Sequence, residues 1–458
     1  MSKLFRELYW SLPGVARSLV ASTRGAILNR RRYSGSTPRL VVEARAREVW
    51  ESSRWDSYQD SLLNVLLPRA GRNVPAYRAA RLAAGIGESR RLDDWPVVDK
   101  ESLRRDPESF VDERVSLRRL SKVHTSGTTG KPLTLWRDRE TNVRWHALFE
   151  CRWKNWYGVG RNDSWAILGG QLVVRTSRER PPFWVWNASM RQLYCSVYHL
   201  KASTAASYLE AFRRRNLQYL LGYTSALTSL GRFILDQGLE VPPLKVVITN
   251  AEPVSGEQRS IIGRAFGCPV RETYGMAEIA AGAGECSSGK LHWWPDASVL
   301  EVQTDSGEVL REGEGALVAT SLINQVMPLI RYKVGDRVRL SSQFDICECG
   351  RRLPVLEAIE GRLDDLVITP DGRQIGRLDP VFKGDFDITQ AQIAQVAENE
   401  LEVRYVSSAS NSRNLEESVR RELHRRVGPM RVRFCRKHQI ETGKNGKFRA
   451  VVNEVLSP

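Results

Sequence analysis

Thr125, Ser126, Gly127, Thr128, Thr129, Gly130, Lys131 and Pro132 spell TSGTTGKP, a run of hydroxyls and glycines closed by a lysine. With so little side-chain bulk, its backbone N–H groups can converge on a phosphate, assisted by hydroxyls and an ammonium. It is not a Walker loop, which has four residues between its glycines and a Ser or Thr after the lysine. Here Gly127 and Gly130 are two residues apart and Pro132 follows Lys131. A polar surface turn is the plain alternative. Further segments follow in order. TNAEPVSGEQ carries Ala251 and Glu252, ETYGMAE carries Tyr274, Gly275 and Glu278, RYKVGD ends in Asp336, and GRLDD carries Arg362 and Asp364. TGKNGKFR near the end supplies Lys444 and Lys447. Taken singly, Glu278 or Asp336 reads as a surface carboxylate, Tyr274 as core packing and Lys447 as a solvated lysine. Their order and number lift them together.

A second set has metal-ligand character. Cys286 and His292 form one pair, and Cys347 and Cys349 form a Cys-x-Cys pair. Three thiolates and an imidazole make a closed tetrahedral zinc site, structural rather than catalytic. Reduced thiols without metal are the alternative. The odd total of seven cysteines argues against a disulfide framework.

These residues need elements to hold them. From about 120 to 280 strands alternate with helices, which implies a layered α/β body. Helices are expected over 203–213 and 225–237, the latter ended by Gly238. LKVVIT (244–249) reads as a buried parallel strand, and Ser255 with Gln258 as a capping box opening a helix that ends near Gly267. Between 298 and 342, VLEVQ, a TDSGE turn, GALVATSL, PLIRY and RVRLSS read as antiparallel strands of a β subdomain. Residues 43–67 look helical, with Pro68 as the stop. A charged helix near 415–427 ends at Gly428. The domain boundary falls at the GRLDD break, giving a large unit over 1–361 and a small α+β unit over 362–458.

At 458 residues, 41% of them hydrophobic, the chain has the composition of a soluble multidomain protein. No apolar stretch approaches the roughly 18 to 20 residues of a membrane span, and the start is no signal peptide; a cytoplasmic location is expected. The net charge of +16 favours anionic partners, although the positive residues are spread and read mainly as solvated surface. Arg30, Arg31 and Arg32 are the densest run. No aromatic–basic RNA module or zinc-finger spacing supports nucleic-acid binding. Residues 1–35 form a basic, weakly amphipathic lead-in, with Phe5, Leu8, Tyr9 and Leu12 on one face. Docking on the main body is favoured over peripheral membrane contact.

In this order the segments resemble the adenylate-forming superfamily, and within it the phenylacetate–CoA ligase branch and its capsule- and exopolysaccharide-associated CapK subgroup. LGYTSAL at 221, CECGRRLP at 347, GRLDDLVITPDGRQIG at 361 and the final GKFRAVV carry the subgroup likeness. The resemblance implies a large adenylation domain and a small mobile one, with ATP, Mg²⁺ and coenzyme A as cofactors and a carboxylic acid as substrate. It assigns the 125–131 loop to the β- and γ-phosphates, Glu278 to Mg²⁺, and Tyr274 with the chain at Ala251–Glu252 to the two faces of adenine. It gives Gly275 to the nucleotide site, Asp336 to the ribose hydroxyls, Arg362 to ribose or phosphate, Asp364 to the hinge and Lys447, over Lys444, to catalysis. Similar Cys and His positions occur in the phenylacetate–CoA ligase branch.

Two departures matter. Ala277 stands where most relatives place Thr or Ser, and an unreplaced charge-assisted donor is worth about 1.5 to 3 kcal/mol. IGRLDPVFKG replaces the usual continuation after GRLDD, which leaves the acceptor open. The leading expectation is acyl-adenylate formation followed by transfer to a thiol. Adenylyl transfer to a hydroxyl, and a non-catalytic nucleotide-binding role in polysaccharide assembly, stand beside it. Trp153, Trp156, Trp165, Trp184 and Trp186 are candidates to line an acyl pocket or to pack the core.

Overall fold

The computed structural model describes residues 3–83, 85, 87, 89–125, 133–360, 367–375, 378–382, 388, 390–407, 413–438, 440 and 450–455. The parallel run expected in the middle of the chain is present. Val246–Asn250 lies between Tyr219–Tyr223 and Val270–Gly275, and Trp165–Gly169 and Gln192–Ser196 extend the sheet with the same direction. Four of these strands are buried at nearly every position, the pattern of a parallel sheet covered on both sides, while Val270–Gly275 is half-buried at most of its positions. Alternation sorts the residues. Ala166, Leu168, Leu193, Cys195, Leu220 and Val247 pack into the cluster that includes the helices Ala202–Arg214, Thr224–Gln237 and Gly256–Phe266. Trp165, Ile167, Leu221 and Ile248 point to the other face, where they meet Phe149 of the Arg139–Trp153 helix.

Local signals set the helix ends. Ser255 and Gln258 form the expected capping box, and Gly267 closes that helix at φ +63°. Gly238 at φ +59° ends Thr224–Gln237. Asp138 caps Arg139–Trp153 by accepting from Thr141 N at 2.7 Å.

The β region from 298 is not a separate sheet. Val270–Gly275 pairs antiparallel with Gly282–Glu285, and the antiparallel strands continue from there into one 13-stranded sheet. The strands Ser298–Gln303, Gly313–Ser321 and Tyr332–Leu340 match the expected runs. PLIRY does not: its strand begins only at Tyr332. Arg331 is left-handed at φ +45° because its buried guanidinium donates to Asp93 O and Trp95 O, both at 2.9 Å, and faces Glu301.

Pro68 does not stop its helix either. One helix, Thr37–Arg47, ends before a second, Ser52–Asn73, which carries Pro68 inside it. An internal proline costs about 3 kcal/mol, but Leu63, Leu66, Leu67 and Ala70 are buried on both sides of it, and that burial offsets the loss.

The lead-in docks on the body. Trp10 Nε1 donates to Leu172 O at 3.3 Å, Glu7 pairs with Arg175, and Leu8 stays exposed. The Gly14–Arg32 helix lies against Trp184–Asn187, with Ser22 accepting from Ala188 N and Ser189 Oγ donating to Ser22 O. A Cβ at Gly25 would collide with the carboxamide of Asn187, so a larger residue there must displace that side chain. No described helix is long and apolar enough to cross a membrane.

In the C-terminal region Arg431–Arg436, Glu400–Val406, Gln390–Ala397 and Val451–Asn453 form a four-stranded sheet. The charged helix, Arg413–Val427, ends at Gly428 with φ +83°. Arg373 donates to Arg426 O and Val427 O at that helix end and to Tyr198 O of the body at 2.5 Å. The expected boundary at 361–362 lies outside the described residues.

Candidate active site

The residues that flank the TSGTTGKP segment belong to a two-stranded ribbon. Ser121–His124 pairs antiparallel with Thr134–Arg137. Thr125 continues the ladder: its N–H donates to Leu133 O at 3.1 Å, and its Oγ1 accepts from Leu133 N at 2.9 Å. The ends of the loop are thereby clamped together. Ser126, Gly127, Thr128, Thr129, Gly130 and Lys131 lie outside the described residues, as do Arg362, Asp364, Lys444 and Lys447.

The other candidates converge. Tyr274 ends the last parallel strand, and its hydroxyl donates to Asp336 Oδ2 at 2.7 Å, joining segments 62 residues apart in sequence. Asp336 stands beside Gly335, which takes φ +94° where the register between Gly313–Ser321 and Tyr332–Leu340 shifts. Such an irregularity re-aims a side chain out of a strand. The same strand supplies Tyr332, whose hydroxyl donates to Glu278 Oε1 at 3.2 Å. Lys100 Nζ lies 3.6 Å from that oxygen. Asp99 caps the Lys100–Arg105 helix, and Val98 bridges to the strand at Tyr332; together they deliver the ammonium. Lys100 and Tyr332 escaped sequence reasoning because neither lies in a motif whose spacing points at Glu278.

Ala251 adopts φ +67° at the end of its strand. A Cβ-bearing residue held there marks backbone that its surroundings over-determine. Glu252 turns its carboxylate onto the N-terminus of Thr224–Gln237, accepting from Ser225 N at 2.7 Å and Ser225 Oγ at 3.1 Å. Its side chain is thereby committed to the helix end. Gly275 has no room for a Cβ, which would lie 2.7 Å from Trp153 Cη2. Trp153 and Trp165 also line a cavity of about 630 Å³ beside the sheet. Trp156, Trp184 and Trp186 do not line that cavity: Trp156 donates to Glu48 Oε1 at 2.8 Å, and the other two lie on the edge strand Trp184–Asn187.

The Cys/His set is brought together as expected. One ligand atom from each of Cys286, His292, Cys347 and Cys349 lies within 4.8 Å of the others. Cys286 Sγ is 3.9 Å from Cys347 Sγ, and Cys349 Sγ is 3.7 Å from His292 Nε2. His292 Nδ1 is 2.6 Å from Leu353 O, which fixes the proton there and leaves Nε2 as the free lone pair facing the thiols. Burial opposes ionisation of Cys347, but hydrogen bonds from the Cys349 backbone and side chain lead the effects that outweigh it and hold that thiol below its ordinary value. Burial pushes Cys349 up to about 11. Arg351 ties the second pair to Glu48, with Nε 2.9 Å from Oε2.

Comparisons with known proteins agree with this architecture. Residues 367–454 match the CapK C-terminal domain family. Protein CapK of Staphylococcus aureus is 24% identical over 99% of this chain and 100% of its own. A phenylacetate-coenzyme A ligase of Thermus thermophilus is 28% identical over 68% of this chain and 71% of its own. A 2-hydroxyisobutyryl-CoA ligase, solved with 2-HIB-AMP and CoA in the thioesterification state, superposes with a TM-score of 0.57 at 20% identity, covering 89% of this chain and 91% of that one. The chain is thus similar to CapK from end to end, matches the CapK C-terminal domain family over residues 367–454 and shares the fold of a solved acid–CoA ligase.

Proposed function

We propose that the chain uses ATP to activate an organic acid as its acyl adenylate and then passes the acyl group to a thiol, that of coenzyme A. The meeting of Tyr274 with Asp336, on a strand that also reaches Glu278 through Tyr332, carries the reading. The similar ligases lend the reaction class; a place in polysaccharide biosynthesis rests on the likeness to CapK alone.

A free carboxylate is a poor acyl donor because its leaving group would be oxide. Attack of one carboxylate oxygen on the α-phosphorus expels pyrophosphate and leaves AMP as leaving group. In this reading Asp336 accepts the ribose hydroxyls and Tyr274 stacks on adenine, with the Ala251–Glu252 backbone on the opposite face. The clamped 125–131 loop receives the outer phosphates. Glu278, a buried hard-oxygen ligand, suits Mg²⁺, which would offset phosphate charge; Lys100 stands ready to neutralise Glu278 without it. Lys447 stabilises charge developing at the α-phosphate, and Arg362 and Asp364 serve the swing of the small unit. Cys286, His292, Cys347 and Cys349 fit a structural zinc ion by donor type, grouping and the carbonyl partner of His292.

Carboxylate-dependent exchange of pyrophosphate into ATP tests the proposal. Acid-dependent exchange supports it. Transfer of AMP to a hydroxyl without an acid indicates adenylyl transfer, and nucleotide binding with neither indicates a non-catalytic role, the reading that Ala277 keeps open. Lys447→Ala is expected to slow exchange by about 10²- to 10³-fold while ATP still binds; wild-type exchange removes Lys447 from the mechanism. Elemental analysis is expected to find one zinc per chain, lost when Cys347 and Cys349 are both changed to Ser.

A further inference from the structure

The cavity beside Trp153 has a one-sided charge. Its lining includes Arg30, Arg32, Lys154, Arg161 and Arg191 and not one Asp or Glu. Lys154 pairs with Glu150 at 3.0 Å, but none of the four arginines has a carboxylate partner among the described residues. Arg152, fully buried on the neighbouring helix, is by contrast paired with Asp296. Arg30, Arg161 and Arg191 are exposed and Arg32 is half-buried, so water screens their mutual repulsion, while an anion seated among them gains attraction from all four.

The rest of the lining belongs to an organic ligand rather than a bare ion. Trp145, Phe149, Trp153, Trp165 and Tyr194 supply aromatic surface. Gln192 is 2% exposed and lines the cavity, and its Oε1 has no hydrogen-bond partner among the described residues. A buried carboxamide left open wants a partner. His146 Nδ1 is likewise buried and unpartnered. Burial, then the charges of Arg32, Arg137 and Lys154, push this imidazole well below its ordinary value, so it sits neutral in a positive field.

The location is specific. Ile167, Tyr194 and Leu221 lie side by side on the sheet as the cavity floor. Asn250, immediately before Ala251, and Trp153, against Gly275, bring it to both segments of the candidate nucleotide site. The opposite rim is the docked N-terminal helix, which carries Arg30 and Arg32. A pocket that borders the Ala251 and Gly275 segments through Asn250 and Trp153, and whose lining otherwise carries arginines without a carboxylate, suits a ligand with more than one negative group.

We propose that this pocket selects an organic acid bearing a second anionic group besides the carboxylate to be activated, with the N-terminal helix supplying part of its charge recognition. The proposal rests on the acid-activation reading for the fate of that ligand, but its binding claim can be tested separately.

Tryptophan fluorescence titrations compare phenylacetate with 4-carboxyphenylacetate, and butanoate with pentanedioate, on the full chain. The expected result is at least tenfold tighter binding of the dianion in one or both pairs, with the preference falling at least tenfold in Arg32→Gln and in Arg161→Gln. Comparing two ligands on one variant guards against a folding defect, because misfolding weakens both. Pyrophosphate exchange is run with the same acids. Dianion preference in binding without exchange from any acid keeps the pocket assignment and removes the activation reading. Exchange that favours the monoanions, unchanged in the arginine variants, overturns the pocket assignment and keeps activation. Equal binding of both members of each pair overturns it as well. So does a loss of coenzyme A binding in these variants with acid binding unaltered.

Discussion

Two charged regions flank the Arg139–Trp153 helix and behave in opposite ways. On one side Arg152, fully buried, makes two hydrogen bonds to Asp296, at 2.6 and 3.0 Å, and Arg47 adds a third at 3.2 Å. Burial alone would raise the Asp296 carboxyl, but Arg152 and Arg47 outweigh it and hold it below the usual carboxylate range. Glu48 extends the network to Trp156 and to Arg351 beside the Cys/His cluster. On the other side four arginines line a cavity with no carboxylate among its walls. Both regions are rich in arginine, and only in the first is each arginine set against a carboxylate. Such pairing is what a structural joint needs; an excess of one sign is what a ligand site keeps.

The comparison is sharpest where it breaks most. Asp296→Ala leaves Arg152 buried without its main partner and is expected to cost about 3 to 5 kcal/mol in a denaturant titration. A loss under about 1 kcal/mol would mean the network is dispensable. A different crowding occurs at Glu272, whose carboxyl is raised to about 7 by burial and then by Glu285, despite Arg259. The folded state holds this proton more tightly than the unfolded chain does. Stability therefore falls as pH rises from about 4.5 to about 7. Glu272→Gln is expected to flatten that fall and to gain on the wild type above pH 7, as read from melts across pH. Equal pH slopes would assign the titration elsewhere. The smallest change in stability is expected from Arg191→Gln in the open pocket, within about 0.5 kcal/mol of wild type, because no carboxylate is abandoned. A loss comparable to Asp296→Ala would erase the distinction between the two regions.

Much of this was legible in the linear order of residues. Ser255 with Gln258, Gly238 and Gly267 announced their helix ends because capping is decided within a few residues. The run at 244–249 announced a buried strand because apolar composition and length suffice. The Cys/His set was found because metal ligation restricts residue type more than distance. Pro68 was misjudged: its local penalty is real, but the apolar face buried on both sides of it is a tertiary quantity. PLIRY was misjudged for a similar reason, since the hydrogen bonds that turn Arg331 come from Asp93 and Trp95. The Arg30–Arg32 run read as solvated surface, and Arg30 and Arg31 are exposed; docking of the helix adds that Arg30 and Arg32 also line a cavity.

The sequence by itself determined the family resemblance, the candidate nucleotide segments and the four metal-ligand candidates, because each depends on residue types at short spacing or in fixed order. Only the tertiary structure decided that Tyr274 meets Asp336, that Lys100 stands at Glu278, and that charge is paired around Asp296 but left open beneath the N-terminal helix. Those outcomes depend on which distant segments share a strand neighbour or a helix face, and pairing between charges falls off with distances that chain position does not encode.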